Sequence, residues 1–108
     1  MEFVVIAYDG KDDQALSRRM SVREAHLEYA AKMKKAGKMV FGGAILDDAE
    51  KMIGSVLIYE CATKQELDRI LEEDPYVSEG VWQRIEIQNF RVAPLYKMTA
   101  GALPADKD

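Results

Sequence analysis

The sequence is poor in the residues that build disulfides and metal sites. It holds one cysteine and one histidine in 108 residues, Cys61 and His26. A single cysteine excludes an intrachain disulfide and suits a reducing compartment. One histidine and one cysteine cannot supply the ligands of a typical zinc site, so no metal is predicted. Cys61 ends an apolar run, where a free cysteine usually packs, which disfavours a Cys–His nucleophile pair.

Segments typical of membrane, nucleotide or nucleic-acid partners are also missing. No apolar run approaches the roughly 20 residues that span a bilayer, and the first strand lacks the basic start of a signal peptide. No Gly-x-Gly-x-x-Gly or Walker-type loop is present, so no cofactor is predicted. The net charge is −4 and basic residues are interspersed with acidic ones, which argues against nucleic acid as a partner. The sequence thus predicts a cytoplasmic single domain.

Hydrophobic patterning predicts four strands and two helices. The first strand is rich in β-branched and aromatic residues and apolar on both faces, which is typical of a central strand. The strands are predicted over Glu2–Tyr8, Lys38–Leu46, Met52–Cys61 and Val81–Val92, and the helices over Val22–Ala36 and from Thr63 to about Glu73.

Local signals refine these elements. Lys11–Met20 is predicted as a polar connector, and Gly42–Gly43 inside a strand pattern indicates a bulge or a close backbone approach. Thr63 and Glu66 fit a capping box. In the last strand, alternation points Ile85 to one face and Trp82 to the other.

The helix from Val22 contains the only histidine. Ser21 and Glu24 stand three residues apart and fit a capping box that begins the helix, while Gly37 is a natural end. At about 100° per residue, His26 falls on the face that packs on the sheet. A histidine there is either a packed core residue or a functional group that reaches a site.

The order β-α-β-β-α-β predicts an α+β, ferredoxin-like fold with a four-stranded antiparallel sheet. Right-handed crossovers put both helices on one face of the sheet, and the other face stays bare. Because the strands are apolar on both sides, we expect a second copy to cover it, giving a homodimer through the open sheet face. The domain is predicted over residues 1–92, and residues 93–108 form a C-terminal tail.

A set of short segments spread along the chain forms a recognisable pattern. They are Tyr8–Asp9, Arg19–His26, Gly42–Gly43, Gly54–Ser55, Asp74–Val81 and the closing strand with Glu86 and Phe90. Together they resemble the YciI-like (YCII-related) family of the dimeric α+β barrel superfamily, over roughly residues 2–92. One departure is Gly43–Ala44, where many members have Gly-Pro, so the pocket wall is expected to differ in shape.

The resemblance implies a dimer with a pocket around the helix histidine and an acidic partner for it. A dehalogenating relative acts on a chlorinated hydroxyhydroquinone, which implies histidine-assisted chemistry on a small ring compound. Carried over by position, His26 matches the family histidine and Arg23 the preceding arginine. Asp9 matches the acid that ends the first strand, and Asp74 the acid of the Asp-Pro-Tyr segment.

Two acids are candidates for the site. Asp9 is favoured as the partner of His26, because a residue at the end of a strand can lie against the following helix; the alternative is a turn residue, since Asp-Gly is a common turn pair. Asp74 either ends the second helix before Pro75 or touches a ligand.

Three further residues are candidates for binding. Arg23 can hold an anionic substrate through two parallel hydrogen bonds, or it forms a surface ion pair of little energetic value. Arg19 has the same two interpretations. Ser55 can donate to a ligand, or it is an ordinary sheet serine.

The leading hypothesis is a small cofactor-independent enzyme. His26 would act as general acid and base, oriented by Asp9, on a small anionic or phenolic metabolite anchored by Arg23. Lyase, isomerase and dehalogenase chemistry all fit this scheme. The alternative is a binding or regulatory homodimer whose pocket near His26 holds a metabolite without transforming it.

Overall fold

Four strands and three helices make up the fold in a computed structural model, which describes residues 1–97. In chain order they are β1 (Glu2–Asp9), α1 (Ala15–Lys35), β2 (Met39–Leu46), β3 (Met52–Glu60), α2 (Lys64–Glu73), α3 (Pro75–Ser78) and β4 (Trp82–Phe90). The α+β class and the β-α-β-β-α-β order are confirmed. The short helix α3, inserted between α2 and β4, was not predicted.

The sheet is antiparallel with strand order β2-β3-β1-β4, so β1 is central as predicted. On the helix side of β1, Phe3, Val5 and Ala7 are almost fully buried. They pack with residues of β3, α2 and α3 in one core, among them Tyr59 and Leu67. The alternate residues of β1 point to the opposite face and are only half-buried. The helices therefore cover one face of the sheet.

Helix α1 begins earlier than the sequence predicts. It starts at Ala15 rather than Val22, so most of the predicted connector is helical. The expected capping box is wrong, because Ser21 lies inside the helix and its hydroxyl donates to the Arg18 carbonyl at 2.8 Å. After Gly10 the segment contains no glycine or proline to stop a helix. The additional turns carry Arg19 into the core, where it is 3% exposed.

The end of α1 agrees with the sequence. Gly37 has a φ of 77°, in the left-handed region that glycine adopts without steric cost. The Lys38 N–H donates to the Met33 carbonyl at 2.9 Å and the Gly37 N–H to the Lys34 carbonyl at 3.0 Å. This is a Schellman cap, which satisfies two helix carbonyls and turns the chain into β2.

Polar side chains mark both ends of helix α2. The Thr63 hydroxyl accepts the Glu66 N–H at 3.1 Å, as an N-cap should. The reciprocal half of the predicted box is replaced, because the Glu66 carboxylate accepts from the Ala62 N–H and from Lys38. Asp74 then ends α2 and also caps α3, since its carboxylate accepts the Tyr76 N–H at 2.9 Å.

A short helical turn follows β4 and is joined to β1 by an ion pair. Pro94–Lys97 forms a 3₁₀ helix, and Lys97 makes an ion pair with Glu2. The rest of the predicted tail lies outside the described residues. Within residues 1–97 we find no helix with the length and hydropathy needed to cross a membrane.

Close approach of the backbone occurs at Gly54, not at Gly42–Gly43. A Cβ built at Gly54 would lie 2.5 Å from the Ala7 carbonyl oxygen of β1, whereas one at Gly43 meets nothing within 4 Å. The register of β2 against β3 shifts between Met39 and Phe41 and again between Ile45 and Leu46, on either side of the two glycines.

Replacing Gly54 with alanine is therefore expected to force β1 and β3 apart. We expect Gly54→Ala to lower the free energy of unfolding by about 1–3 kcal/mol, the usual cost of overpacking. Gly43→Ala, the same change in open space, should stay within about 0.5 kcal/mol. Urea unfolding followed by circular dichroism measures both, and equal stabilities of the two variants would contradict the close approach.

Candidate functional site

A cleft of about 500 Å³ lies between α1 and the edge of the sheet formed by β2 and β3. It exists because α1 packs over the central strands and leaves the helix-side face of β2 uncovered, so that Gly42 and Ala44 are exposed. Residues of α1, β2, β3 and α3 line it, including Arg23, His26 and Tyr76. Its volume falls within the roughly 300–1,000 Å³ typical of small-molecule sites.

His26 forms a buried pair with Asp74 at the wall of this cleft. Its Nδ1 lies 2.8 Å from Oδ1 and 3.1 Å from Oδ2 of Asp74. The Asp74 side chain has no exposed surface and that of His26 is 9% exposed. An ionised carboxylate can only accept hydrogen bonds. Nδ1 is therefore the protonated nitrogen of the pair, and Nε2 is left to act in the cleft.

The histidine thus has an acidic partner, but not the one favoured from the sequence. Asp9 was expected to orient His26, and the structure gives that position to Asp74. The reason is the early start of α1, which brings Arg19 next to the end of β1. Asp9 accepts from the Arg19 guanidinium at 3.0 and 3.2 Å instead.

Arg19 lies at the centre of a second buried network. Besides Asp9, its guanidinium donates to the Ser55 hydroxyl at 2.9 Å. The indole N–H of Trp82 donates to the same hydroxyl at 3.2 Å. Burial raises the pKa of the Asp9 carboxyl, against the opposing effect of Arg19. Arg19, Asp9 and Ser55 therefore form a structural support beside the cleft, with each partner held by its neighbours.

Tyr76 connects the two networks. Its ring stacks on the His26 imidazole with centroids 3.9 Å apart and planes 5° from parallel. The Arg19 guanidinium carbon lies 4.8 Å from the same ring centroid. Arg19 and His26 are seven residues apart on α1, about 10.5 Å along the helix axis. The Tyr76 ring fits between them, so it fixes the plane of the imidazole.

Two polar groups at the cleft, His26 Nε2 and the Tyr76 hydroxyl, have no hydrogen-bond partner within residues 1–97. The fully enclosed side-chain atoms without a hydrogen bond are Arg19 Nε, the Tyr59 hydroxyl and Glu60 Oε2. Neither His26 Nε2 nor the Tyr76 hydroxyl is among them, although neither makes a hydrogen bond to a described residue. Both residues line the cleft, although Tyr76 as a whole is only 1% exposed. Burial raises the pKa of the Tyr76 hydroxyl, against the effect of nearby arginines, which keeps it a proton donor.

Arg23 is exposed at the mouth of the cleft, one turn before His26. It makes no ion pair with any residue of the described part of the chain. Of the two interpretations from the sequence, the surface ion pair is therefore not observed. Its guanidinium is free to meet an anion that enters the cleft.

The sequence prediction missed Tyr76 and misplaced Trp82. A register shift where β1 meets β4 pairs Trp82 with Asp9. It turns the indole to the helix side, 5.5 Å from the His26 ring. Alternation alone cannot reveal such a shift. For Tyr76 a signal existed, since it directly follows Asp74–Pro75 and Asp74 was already a candidate.

No group of three or more His, Cys, Asp or Glu side chains in residues 1–97 is arranged to hold a metal ion. The chemistry that the described residues can perform without help is proton transfer through a histidine, assisted by hydrogen-bond donors and a free guanidinium.

Comparison with known proteins gives related chains along almost the whole described length. Protein YciI from Escherichia coli O6:H1 is 29% identical over 97 residues, which cover 84% of this chain and 97% of that protein. Fusaric acid biosynthesis protein 2 from Gibberella moniliformis is 30% identical over 98 residues, 83% of this chain and 92% of that protein.

One relative is much longer. An aspartate kinase from Fusarium oxysporum f. sp. lycopersici is 29% identical over 100 residues, and the chain spans only 18% of its length. The match thus concerns one segment of that protein.

A solved structure has the same fold with comparable coverage. It is 5-chloro-2-hydroxyhydroquinone dehydrochlorinase (TftG) from Burkholderia phenoliruptrix in complex with 2,5-dihydroxybenzoquinone. It superposes with a TM-score of 0.73 at 27% identity, covering 84% of this chain and 94% of that chain. The model of the YCII-related domain matches residues 1–91. This chain is therefore a member of the YCII-related domain family.

Proposed function

We propose that the protein is a small enzyme that performs general acid–base chemistry on an anionic or phenolic small molecule without a cofactor. The observation that carries the proposal is the His26–Asp74 pair, whose free Nε2 opens into a cleft. A buried carboxylate that holds Nδ1–H stabilises the imidazolium formed when Nε2 takes a proton. Histidine is the side chain best suited to both halves of such a transfer near neutral pH.

Other groups at the cleft supply binding and charge stabilisation. Arg23 attracts the anionic substrate and anchors it. The Tyr76 hydroxyl, next to the His26 ring, donates a hydrogen bond to a substrate oxygen that gains negative charge when its proton leaves. Asp9, Arg19 and Ser55 act as positioning residues, because Asp9 and Ser55 hold Arg19, which lies against the Tyr76 ring, and none of them has to touch the substrate.

Relatives support the choice of a small-molecule substrate. The dehydrochlorinase of known structure is named for a chlorinated hydroxyhydroquinone and binds 2,5-dihydroxybenzoquinone, a ring with several oxygens. Loss of HCl from such a ring needs a base that removes a proton while chloride leaves, which His26 can provide. Lyase and isomerase reactions on similar rings need the same proton transfers.

We also propose that the protein acts as a homodimer through the open sheet face. The side chains at this face include Ile6 and Val56, which are half-buried, and Phe41 and Phe90, which are 60% and 44% exposed. No helix within residues 1–97 covers them. A second copy would remove this apolar surface from water and supply the usual driving force for association.

The position of the proton on His26 is a first prediction. Because Asp74 accepts from Nδ1–H, the neutral ring should carry its proton on Nδ1 and leave Nε2 unprotonated. Long-range ¹H–¹⁵N correlation spectra above neutral pH report this tautomer. The chain has a single histidine, so one set of ring signals gives the answer. A neutral ring protonated on Nε2 would exclude the proposed base.

The catalytic role of His26 gives a second prediction. We expect chloride release from 5-chloro-2-hydroxyhydroquinone to fall by about 10²–10⁴-fold in His26→Gln, the usual contribution of a general acid or base. Arg23→Gln should raise KM by about tenfold, as expected when a charge-assisted hydrogen bond is lost, and change kcat less.

The control for both variants is the binding of 2,5-dihydroxybenzoquinone, which calorimetry measures. Retained binding in His26→Gln together with lost turnover supports catalysis. Binding without turnover in the unmodified protein would instead identify a binding module, and turnover that survives in His26→Gln would move the chemistry to another residue.

The dimer gives a third prediction. Val56→Lys places a charge in the middle of the open sheet face and should convert a dimer at micromolar concentration into a monomer, because the ammonium group would be buried in the interface. Sedimentation velocity measures the mass. Leu16→Lys, on the helix side where Leu16 is 37% exposed, is the control and should stay dimeric. A monomeric unmodified protein would refute the proposal.

A further inference from the structure

The cleft extends well beyond His26. Arg19, Arg23 and Ser55 lie at one end, beside Ala44, which pairs with Ser55 in the sheet. The other end lies near the tight turn that joins α1 to β2, because the last residues of α1 are close to the first residues of β2 there. The walls at that end are formed mainly by small or apolar residues, together with Lys34; the small or apolar ones are Leu27, Ala30, Ala31, Met39 and Val40.

The two ends therefore differ in chemistry. The first holds charged groups, a hydroxyl and the free histidine nitrogen, whereas the second offers mostly apolar surface. From His26 to Lys34, where the lining ends, α1 advances by about 12 Å. A single ring at His26 would fill only part of the roughly 500 Å³ available.

At the apolar end of the cleft, the absence of a side chain at Gly42 leaves space above the sheet. Gly42 pairs with Leu57, whose side chain lies on the helix side of the sheet, so a side chain at Gly42 would point into the cleft. A Cβ there would meet Leu57 at 3.4 Å, which leaves room for an alanine-sized group. Anything larger would extend over Leu57 into the cleft. Glycine at this position therefore preserves space that the polar head of a ligand does not need.

We propose that the cleft accepts an amphipathic ligand, with an oxygen-rich ring at His26 and an apolar chain of several carbons that runs over Gly42 towards Met39. This inference rests on the proposed function, because it uses the same site for the head group. It adds that chain length is a determinant of specificity. The chain gains affinity by leaving water and packing on the more exposed apolar residues of that end, Leu27, Ala30 and Val40.

The test uses 2,5-dihydroxybenzoquinone and its 3-butyl and 3-hexyl derivatives, with dissociation constants measured by calorimetry. We expect the affinity to rise by about fourfold for each methylene, as for transfer of a CH₂ group out of water. The parent ring reports the head-group site alone, so it separates this inference from the proposed function.

Two valine variants locate the chain. Gly42→Val fills the apolar end and should weaken binding of the hexyl derivative by about tenfold or more, equivalent to the burial of two methylenes. Its affinity for the parent ring should stay within about twofold. Gly43→Val adds the same side chain on the opposite face of β2, where Gly43 pairs with Val56. Sedimentation velocity first establishes that this variant keeps the oligomeric state of the unmodified protein, and it should then leave all three affinities unchanged.

The outcomes are distinguishable. Parent and hexyl compounds that bind equally would overturn the amphipathic ligand and leave the acid–base proposal intact. A chain effect that disappears in Gly43→Val but not in Gly42→Val would put the chain on the open sheet face and also overturn it. Failure of all three compounds to bind would overturn both proposals.

Discussion

The candidate site depends on a carboxylate that has no contact with water. Asp74 sits where α2 ends and α3 begins, and its side chain is fully buried. Such a group is stable only if its oxygens receive hydrogen bonds. The Tyr76 N–H and His26 Nδ1 supply them. One residue thus ends a helix, starts the next and fixes the tautomer of the histidine, so the local fold and the proposed chemistry cannot be separated.

In the second network, too, the same residues satisfy one another and support the site. Arg19 would be costly to bury alone, and Asp9 and Ser55 make its burial possible. Its guanidinium lies over the Tyr76 ring, on which the His26 imidazole also stacks. The imidazole is therefore held through its edge by Asp74 and through its face by Tyr76. Little rotation is left to it, which is the condition for an oriented base.

The sequence predicted the fold well because the signals for it are local. The strands, the end of α1 at Gly37 and the cap at Thr63 each depend on a few neighbouring residues. The partner of His26 was predicted wrongly as Asp9, since its identity depends on where α1 begins and on α3, a helix of four residues. Ser21 and Glu24 have the spacing of a capping box, although both lie inside the helix. Pairings over 48 residues, such as His26 with Asp74, follow from tertiary packing.

The length of α1 limits the insertions and deletions that this chain can accept. Arg19, Arg23 and His26 are held on a single uninterrupted helix of 21 residues. One residue inserted or deleted between them would turn the flanking parts of the helix by about 100° relative to each other and shift them by about 1.5 Å. The Tyr76 ring would then lose one of its two neighbours. This segment should therefore tolerate substitution far better than any change of length.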